Sequence, residues 1–211
     1  MSVKTAVLVS GGGTNLQALI DASRAGKLPH VALSLVLSNR ADAYALTRAQ
    51  EAGIPSAVCE RAKGEPREAF EARMLEILRA HGVEMLVLAG FMAILSKDFV
   101  QNYPDRILNV HPSLIPSFCG KGFYGLHVHE AALAYGVKVT GATVHLVNEI
   151  PDGGRILLQK AVEIEPGDTP EALQRRVMEQ AEWILLPQAV SDFCAGRLTV
   201  RGAWVARKEK E

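Results

Sequence analysis

Apolar residues along this chain switch between short unbroken runs and helical spacing. Residues 5–10 (TAVLVS) form an unbroken run, the pattern of a strand buried on both faces. Gly11-Gly12-Gly13 ends it, and Leu16, Leu19 and Ile20 then recur at helical intervals. A second strand is predicted over 31–38, a helix over 41–52 stopped by Gly53 and Pro55, and a short third strand over 57–59. Residues 66–80 read as an amphipathic helix with Phe70, Met74, Ile77 and Leu78 on one face. Strands follow over 84–89 and 106–111. Strands alternating with helices predict an α/β fold with a doubly wound, mostly parallel sheet flanked by helices.

The pattern changes after Pro116. Residues 118–126 are rich in Gly and aromatics and read as a loop, and 129–135 as a helix. Apolar strands over 140–147 and 155–164 have only residues 148–154 between them, too few for a helical crossover. They therefore predict an antiparallel C-terminal strand pair. Asp168-Thr169-Pro170 opens a helix, with a capping residue before Pro at the first turn. Pro187 is expected to kink or break that helix, and a last helical piece ends at Gly196.

At 211 residues and 48% hydrophobic composition, the chain suits one large domain over 1–198, followed by a tail over 199–211. The charged end of that tail, from Arg207 on, reads as a solvated terminus. Lys plus Arg equal Asp plus Glu at 23 each, which predicts neither nucleic acid nor an acidic membrane surface as partner. Cys59, Cys119 and Cys194 form no C-x-x-C pair, which points to a reducing, cytoplasmic setting. The N-terminus leads straight into the first strand without a signal peptide, and no run approaches the roughly 20 apolar residues of a membrane helix.

Candidate chemistry gathers where strands end. Asn109 and His111 lie two apart on a strand, so both point to one face, and Pro112 forces the chain into a loop just beyond them. An amide can donate to a developing oxyanion, and an imidazole can move a proton near neutral pH. The bland alternative is that both satisfy loop backbone. Ser10-Gly11-Gly12-Gly13-Thr14-Asn15 joins a strand to a helix, where backbone N–H groups and the helix N-terminus favour an anion. The spacing is neither G-x-G-x-x-G nor a Walker A loop, so a single phosphate group fits better than a dinucleotide or triphosphate. A tight turn with Thr14 as helix cap fits the same residues.

Asp152-Gly153-Gly154 is a hairpin turn signal. Its aspartate could also meet His111 in space, orient the ring and raise its pKa. Residues 89–95 (AGFMAIL) could wall a slot for a flat ring or simply pack in the core. Glu182 has apolar neighbours in Met178 and Leu185 and needs a partner, either a ligand or a salt bridge. His127 and His129 invite a metal reading that no nearby ligand set completes, so no metal is expected. His145 alternates with Thr143 and Val147 and either faces the cleft of His111 or sits hydrogen-bonded in the core.

The glycine loop, the Asn-x-His-Pro-Ser-Leu segment and the Asp-Gly-Gly turn occur in that order. Together they resemble the phosphoribosylglycinamide formyltransferases, folate-dependent formyltransferases of purine synthesis, over about residues 7–198. The resemblance implies a formyltransferase-like fold, with a phosphate-binding half over about 1–105 and a folate and catalytic half over about 106–198. It implies formyl transfer from 10-formyltetrahydrofolate, the co-substrate, to the amine of glycinamide ribonucleotide. On that likeness Gly12, Gly13, Thr14 and Asn15 hold the phosphate, and Glu182 binds the ribonucleotide. Asn109, His111 and Asp152 are catalytic. Arg67, Met92, Ala93, Ile94 and Leu95, together with Asn109, Val147, Asn148 and Glu149, face the folate. Two departures stand out. Ala93 occupies a position where some members carry arginine, and the loop from Cys119 to Gly125 is longer than in compact members.

The implied mechanism places negative charge on the former formyl oxygen, stabilised by Asn109 and a protonated His111 that Asp152 keeps charged near pH 7. Rival activities are 10-formyltetrahydrofolate hydrolysis and formylation of methionyl-tRNA. The short stretches before the first strand and after Leu198 disfavour both. A non-catalytic nucleotide-binding module on the same fold would have no need of the Asn109, His111 and Asp152 set.

Overall fold

The computed structural model describes residues 2–202 and 204–208. The chain divides into two compact units, Met1–Leu108 and Asn109–Glu211. One seven-stranded sheet has the order β3-β2-β1-β4-β5-β6-β7.

In the first unit, β1 (Val3–Val9) carries Ala6 to Val9 fully buried, as an unbroken apolar run requires. It pairs in parallel with β2 (Val31–Ser38) on one side and β4 (Met85–Leu88) on the other. The short β3 (Ser56–Val58) adds to β2, also in parallel. Between them run α1 (Thr14–Arg24), α2 (Tyr44–Glu51) and α3 (Arg67–Ala80). The expected faces are largely the buried ones: Leu16, Leu19 and Ile20 on α1, and Phe70, Met74 and Leu78 on α3, where Ile77 is only half-buried.

Helix α2 starts three residues later than its apolar pattern suggests. The Ser38 hydroxyl exchanges hydrogen bonds with the backbone of Arg40, and the Ala41 N–H donates to Glu60, which holds 40–43 as a turn. A five-residue helix, α4 (Lys97–Gln101), was not expected; the Ser96 hydroxyl caps it by accepting from the Phe99 N–H at 3.0 Å. Strand β5 (Ile107–His111) follows.

The second unit continues with α5 (Leu126–Tyr135) and the antiparallel pair of β6 (Val139–Leu146) and β7 (Ile156–Glu163), as the short connection predicts. Helix α6 (Pro170–Val177) is capped by Thr169, whose hydroxyl accepts from the Ala172 N–H. The expected break at Pro187 does not occur there. Helix α7 (Trp183–Cys194) runs through Pro187, and the irregularity lies a turn earlier, in a π-helical segment at Met178–Glu182. A widened turn just before proline relieves the clash of its ring with the carbonyl four residues back.

The predicted tail is structured over most of its length. Strands β8 (Leu198–Arg201) and β9 (Trp204–Arg207) form an antiparallel pair. Arg197 and Arg207 both reach the buried carboxylate of Asp192 at 2.7 Å, which anchors the open end of that pair, where Leu198 faces Arg207. Residues 209–211 of the charged terminus lie outside the described residues, as does Met1. Among the described residues no helix is long and apolar enough to cross a membrane.

Candidate active site

In the second unit, Asn109 and His111 share one face at the end of β5, as strand alternation dictates. The buried His111 ring donates from Nε2 to the Phe118 carbonyl at 2.9 Å, and its Nδ1 stands 3.5 Å from Asp152 Oδ2. Asp152 lies in the connection between β6 and β7 with φ 55°, the left-handed conformation of an Asp-Gly turn. The turn reading and the chemical reading of this aspartate therefore meet in one residue. Its carboxylate also accepts the Gly120 N–H at 2.8 Å and the Asn109 Nδ2 at 3.4 Å. The two glycines that follow are sterically required: a Cβ at Gly154 would sit 1.6 Å from the Leu146 carbonyl oxygen, and one at Gly153 would sit 2.7 Å from the Ile150 side chain.

His145 joins this cluster. Its Nδ1 donates to the Leu146 carbonyl at 2.8 Å, which leaves Nε2 to accept from Asn109 Nδ2 at 3.1 Å. The same Nε2 lies 3.5 Å from Asp152. A register shift between Val144 and His145 re-aims the side chain. The alternation of His145 with Thr143 and Val147 was the signal for it. The Phe118 carbonyl and the Gly120 N–H were invisible in the sequence, because backbone groups carry no residue signature.

Charge within the cluster differs from expectation. Burial pushes the His111 pKa below its ordinary 6.5, and the nearby Asp152 carboxylate and Phe118 carbonyl offset this only in part. The ring is therefore neutral at pH 7, not charged as the sequence suggested. For Asp152, burial pushes upward. The neighbouring His145 and His111 rings and the Gly120 N–H outweigh it and hold the carboxyl below its usual range.

Elsewhere in this unit, Glu182 is buried in the π-helical segment. Val147, Asn148 and Glu149 follow β6. Asn148 braces that loop, accepting from the Ile150 N–H at 3.0 Å and donating to the Gly153 carbonyl at 3.2 Å. His129 is buried on α5 with no hydrogen-bond partner for either ring nitrogen among the described residues, and burial lowers its pKa to about 4.

In the first unit the glycine loop follows β1. The carbonyls of Gly11, Gly12 and Gly13 accept from the Ala45 N–H, Arg48 Nε and the Gln17 N–H at 3.0, 2.8 and 2.9 Å. Gly13 has φ 71°, and a Cβ there would lie 2.6 Å from the Ala45 Cβ, so the loop needs glycine at this point. Gly13 is also the residue before α1. Thr14 is the first helical residue, so the cap position falls on Gly13 and not on Thr14, while the tight turn itself is present. Asn15 is buried beside it. The ends of three strands are joined here: Ser10 Oγ donates to Asn39 Oδ1 at 2.6 Å and accepts from the Met92 N–H at 2.8 Å.

A cavity of about 680 Å³ opens in the same unit. It is lined by Asn39, Glu60, Arg61, Arg67, Phe70, Glu71, Met92, Ala93 and Ile94. Arg67 is gathered here with three of the four predicted slot residues, while Leu95 is buried just behind them. Arg67 donates from Nε to Glu71 at 3.0 Å and from Nη2 to the Ile94 carbonyl at 2.6 Å. Two arginines and two glutamates share this lining with Phe70, Met92, Ala93 and Ile94, so apolar walls and a few polar groups meet in one cavity, as in a small-molecule pocket.

Residues 3–190 match the formyl transferase family. The chain belongs to that family. It is 41% identical over 198 residues to a phosphoribosylglycinamide formyltransferase of Haemophilus influenzae, covering 94% of this chain and 90% of the relative. A chloroplastic phosphoribosylglycinamide formyltransferase of Arabidopsis thaliana is 39% identical, over 94% of this chain and 68% of that protein. The crystal structure of glycinamide ribonucleotide transformylase 1 from Symbiobacterium toebii superposes with a TM-score of 0.92 at 41% identity, covering 99% of this chain and 95% of that one. The fold is thus that of the formyltransferases, and the chain is an enzyme of formyl transfer.

Proposed function

We propose that this protein transfers the formyl group of 10-formyltetrahydrofolate to the amine of glycinamide ribonucleotide, in the cytoplasm, on small molecules alone. The observation that carries this reading is the Asn109, His111 and Asp152 cluster, an amide and an imidazole beside one carboxylate. Gly12, Gly13, Thr14 and Asn15 hold the phosphate at the N-terminus of α1. Glu182 accepts hydrogen bonds from the ribonucleotide. Arg67 and the segment from Met92 to Leu95, with backbone groups of Val147, Asn148 and Glu149, hold the folate. Ala93 supplies no cation to it.

When bound, the folate supplies the formyl carbon on its N10. Asn109 gives up its long contact with Asp152 and donates to the formyl oxygen as negative charge gathers there, a contribution of about 3–4 kcal/mol. His111, neutral at pH 7, takes the proton of the attacking amine at Nδ1. Asp152, facing that atom, stabilises the imidazolium. The same proton then leaves Nδ1 for the departing nitrogen, directly or through one water. No side chain forms a covalent bond in this scheme.

The test is turnover of 10-formyltetrahydrofolate by the purified protein with and without glycinamide ribonucleotide. Turnover should require the acceptor, and His111→Ala should lose about a hundredfold in kcat or more with little change in either KM. Acceptor-independent turnover would make the protein a hydrolase instead, and a His111→Ala variant of near wild-type kcat would remove His111 from the chemistry.

A further inference from the structure

The long glycine-rich loop between β5 and α5 touches both members of the His111 and Asp152 pair through its backbone. The Phe118 carbonyl accepts His111 Nε2–H at 2.9 Å, and two residues on the Gly120 N–H donates to Asp152 at 2.8 Å. Phe118 has φ 48°, a left-handed conformation that is costly for an aromatic residue and persists only where its surroundings hold it. Those surroundings are aromatic. The Phe118 ring meets Phe123, from the same loop, edge-on at 6.3 Å, and Tyr135, from the end of α5, at 6.0 Å. A turn bond from the Phe123 N–H to the Gly120 carbonyl closes the loop on itself at 3.1 Å.

We propose that Phe123 is a positioning residue for the reaction: by locking the Phe118 ring it holds the Phe118 carbonyl on His111 Nε2, so that the imidazole stays in the Nε2–H tautomer with Nδ1 as its basic atom. This inference rests on the catalytic reading of His111 given above. A histidine that bonds a fixed carbonyl through one nitrogen has its tautomer and ring plane set by that bond. The loop residues Gly120 to Phe123, which the transfer chemistry does not itself require, thereby acquire a role. The charged and titratable groups facing His111 are Asp152, His145 and the buried His129, with the Cys119 thiol beside Asp152. Among these groups Asp152 favours the protonated ring, and so does the hydrogen bond to the Phe118 carbonyl.

The test is ¹⁵N NMR of histidine-labelled protein together with pH–rate profiles for Phe123→Ala and the conservative Phe123→Tyr. Wild type and Phe123→Tyr should show His111 as the Nε2–H tautomer. Phe123→Ala should show a tautomer mixture, a kcat about tenfold lower with both KM values near wild type, and an acid limb displaced to lower pH. If Phe123→Ala does not fold, Phe123→Leu, which keeps bulk without the ring, takes its place. An unchanged tautomer and profile in the folded variant would overturn the proposal. Failure of the catalytic reading is distinguishable: there His111→Ala would keep its turnover, whereas the tautomer shift in Phe123→Ala is read by NMR whatever His111 does in the reaction.

Discussion

Asp152 holds one carboxylate oxygen 3.5 Å from His111 Nδ1 while that oxygen also accepts the Gly120 N–H at 2.8 Å. The aspartate is thus fixed by backbone on one side and faces a buried, neutral imidazole on the other. This geometry lets a proton arrive at Nδ1 without leaving an uncompensated buried charge.

Asp152→Asn tests that relationship. The carboxylate raises the His111 pKa against burial, so removing it should depress that pKa further. A reaction run by neutral His111 loses activity as pH falls through the His111 pKa. The acid limb of kcat should therefore move to lower pH in the variant. At neutral pH kcat should fall about a hundredfold, because the imidazolium formed in the reaction loses its partner. The measurement is kcat across pH for both proteins. An unmoved limb with normal kcat would reduce Asp152 to a turn residue.

Glu71→Gln probes the cavity of the first unit. The buried Glu71 carboxylate accepts from Arg67 Nε at 3.0 Å, from the Ser96 N–H at 2.8 Å, and from the Ser96 hydroxyl in a short bond. One carboxylate thus fixes the arginine and the chain just past Leu95. An amide has one acceptor oxygen for these donors, and its N–H₂ then meets either the Ser96 hydroxyl or the guanidinium in place of a carboxylate oxygen. The KM for the formyl folate should rise about five- to tenfold with kcat little changed, and the stability cost should be about 1–3 kcal/mol. Steady-state kinetics with the folate varied would show this; an unchanged KM would separate Arg67 from folate binding.

Much of this was legible in the sequence, and what was not has physical causes. Unbroken apolar runs mark β1, β2 and β4 because strands covered on both faces have no polar side. Asn109 and His111 were legible as a pair because strand periodicity is fixed at two. Short elements were not: α4 stands on a Ser96 cap that Glu71 holds from another helix, and the β8 and β9 pair is anchored by Asp192 through two arginines. Pro187 misled because a π-helical turn upstream makes room for it. The charge of His111 misled for a different reason. Sequence shows a carboxylate that can meet the ring, but only packing shows how deeply the ring is buried.

His129→Leu tests a stability consequence of that packing. The buried His129 ring has no hydrogen-bond partner among the described residues and a pKa of about 4, against about 6.5 in an unfolded chain. Between those values the unfolded chain binds a proton that the folded protein refuses, so stability falls as pH drops through this window. The single group accounts for a loss of about 3 kcal/mol from pH 7 to pH 4. The leucine variant should be at least as stable as wild type at pH 7, because no hydrogen bond is lost. It should also retain about 3 kcal/mol more of its stability on acidification. His111, lowered in the same direction, should keep some acid sensitivity in both proteins. Asp152 acts lower in pH, because its depressed pKa withdraws stability only below the ordinary carboxylate range. Urea unfolding at pH 7, 5.5 and 4 would measure the difference, and parallel curves for the two proteins would mean that His129 is protonated in the fold.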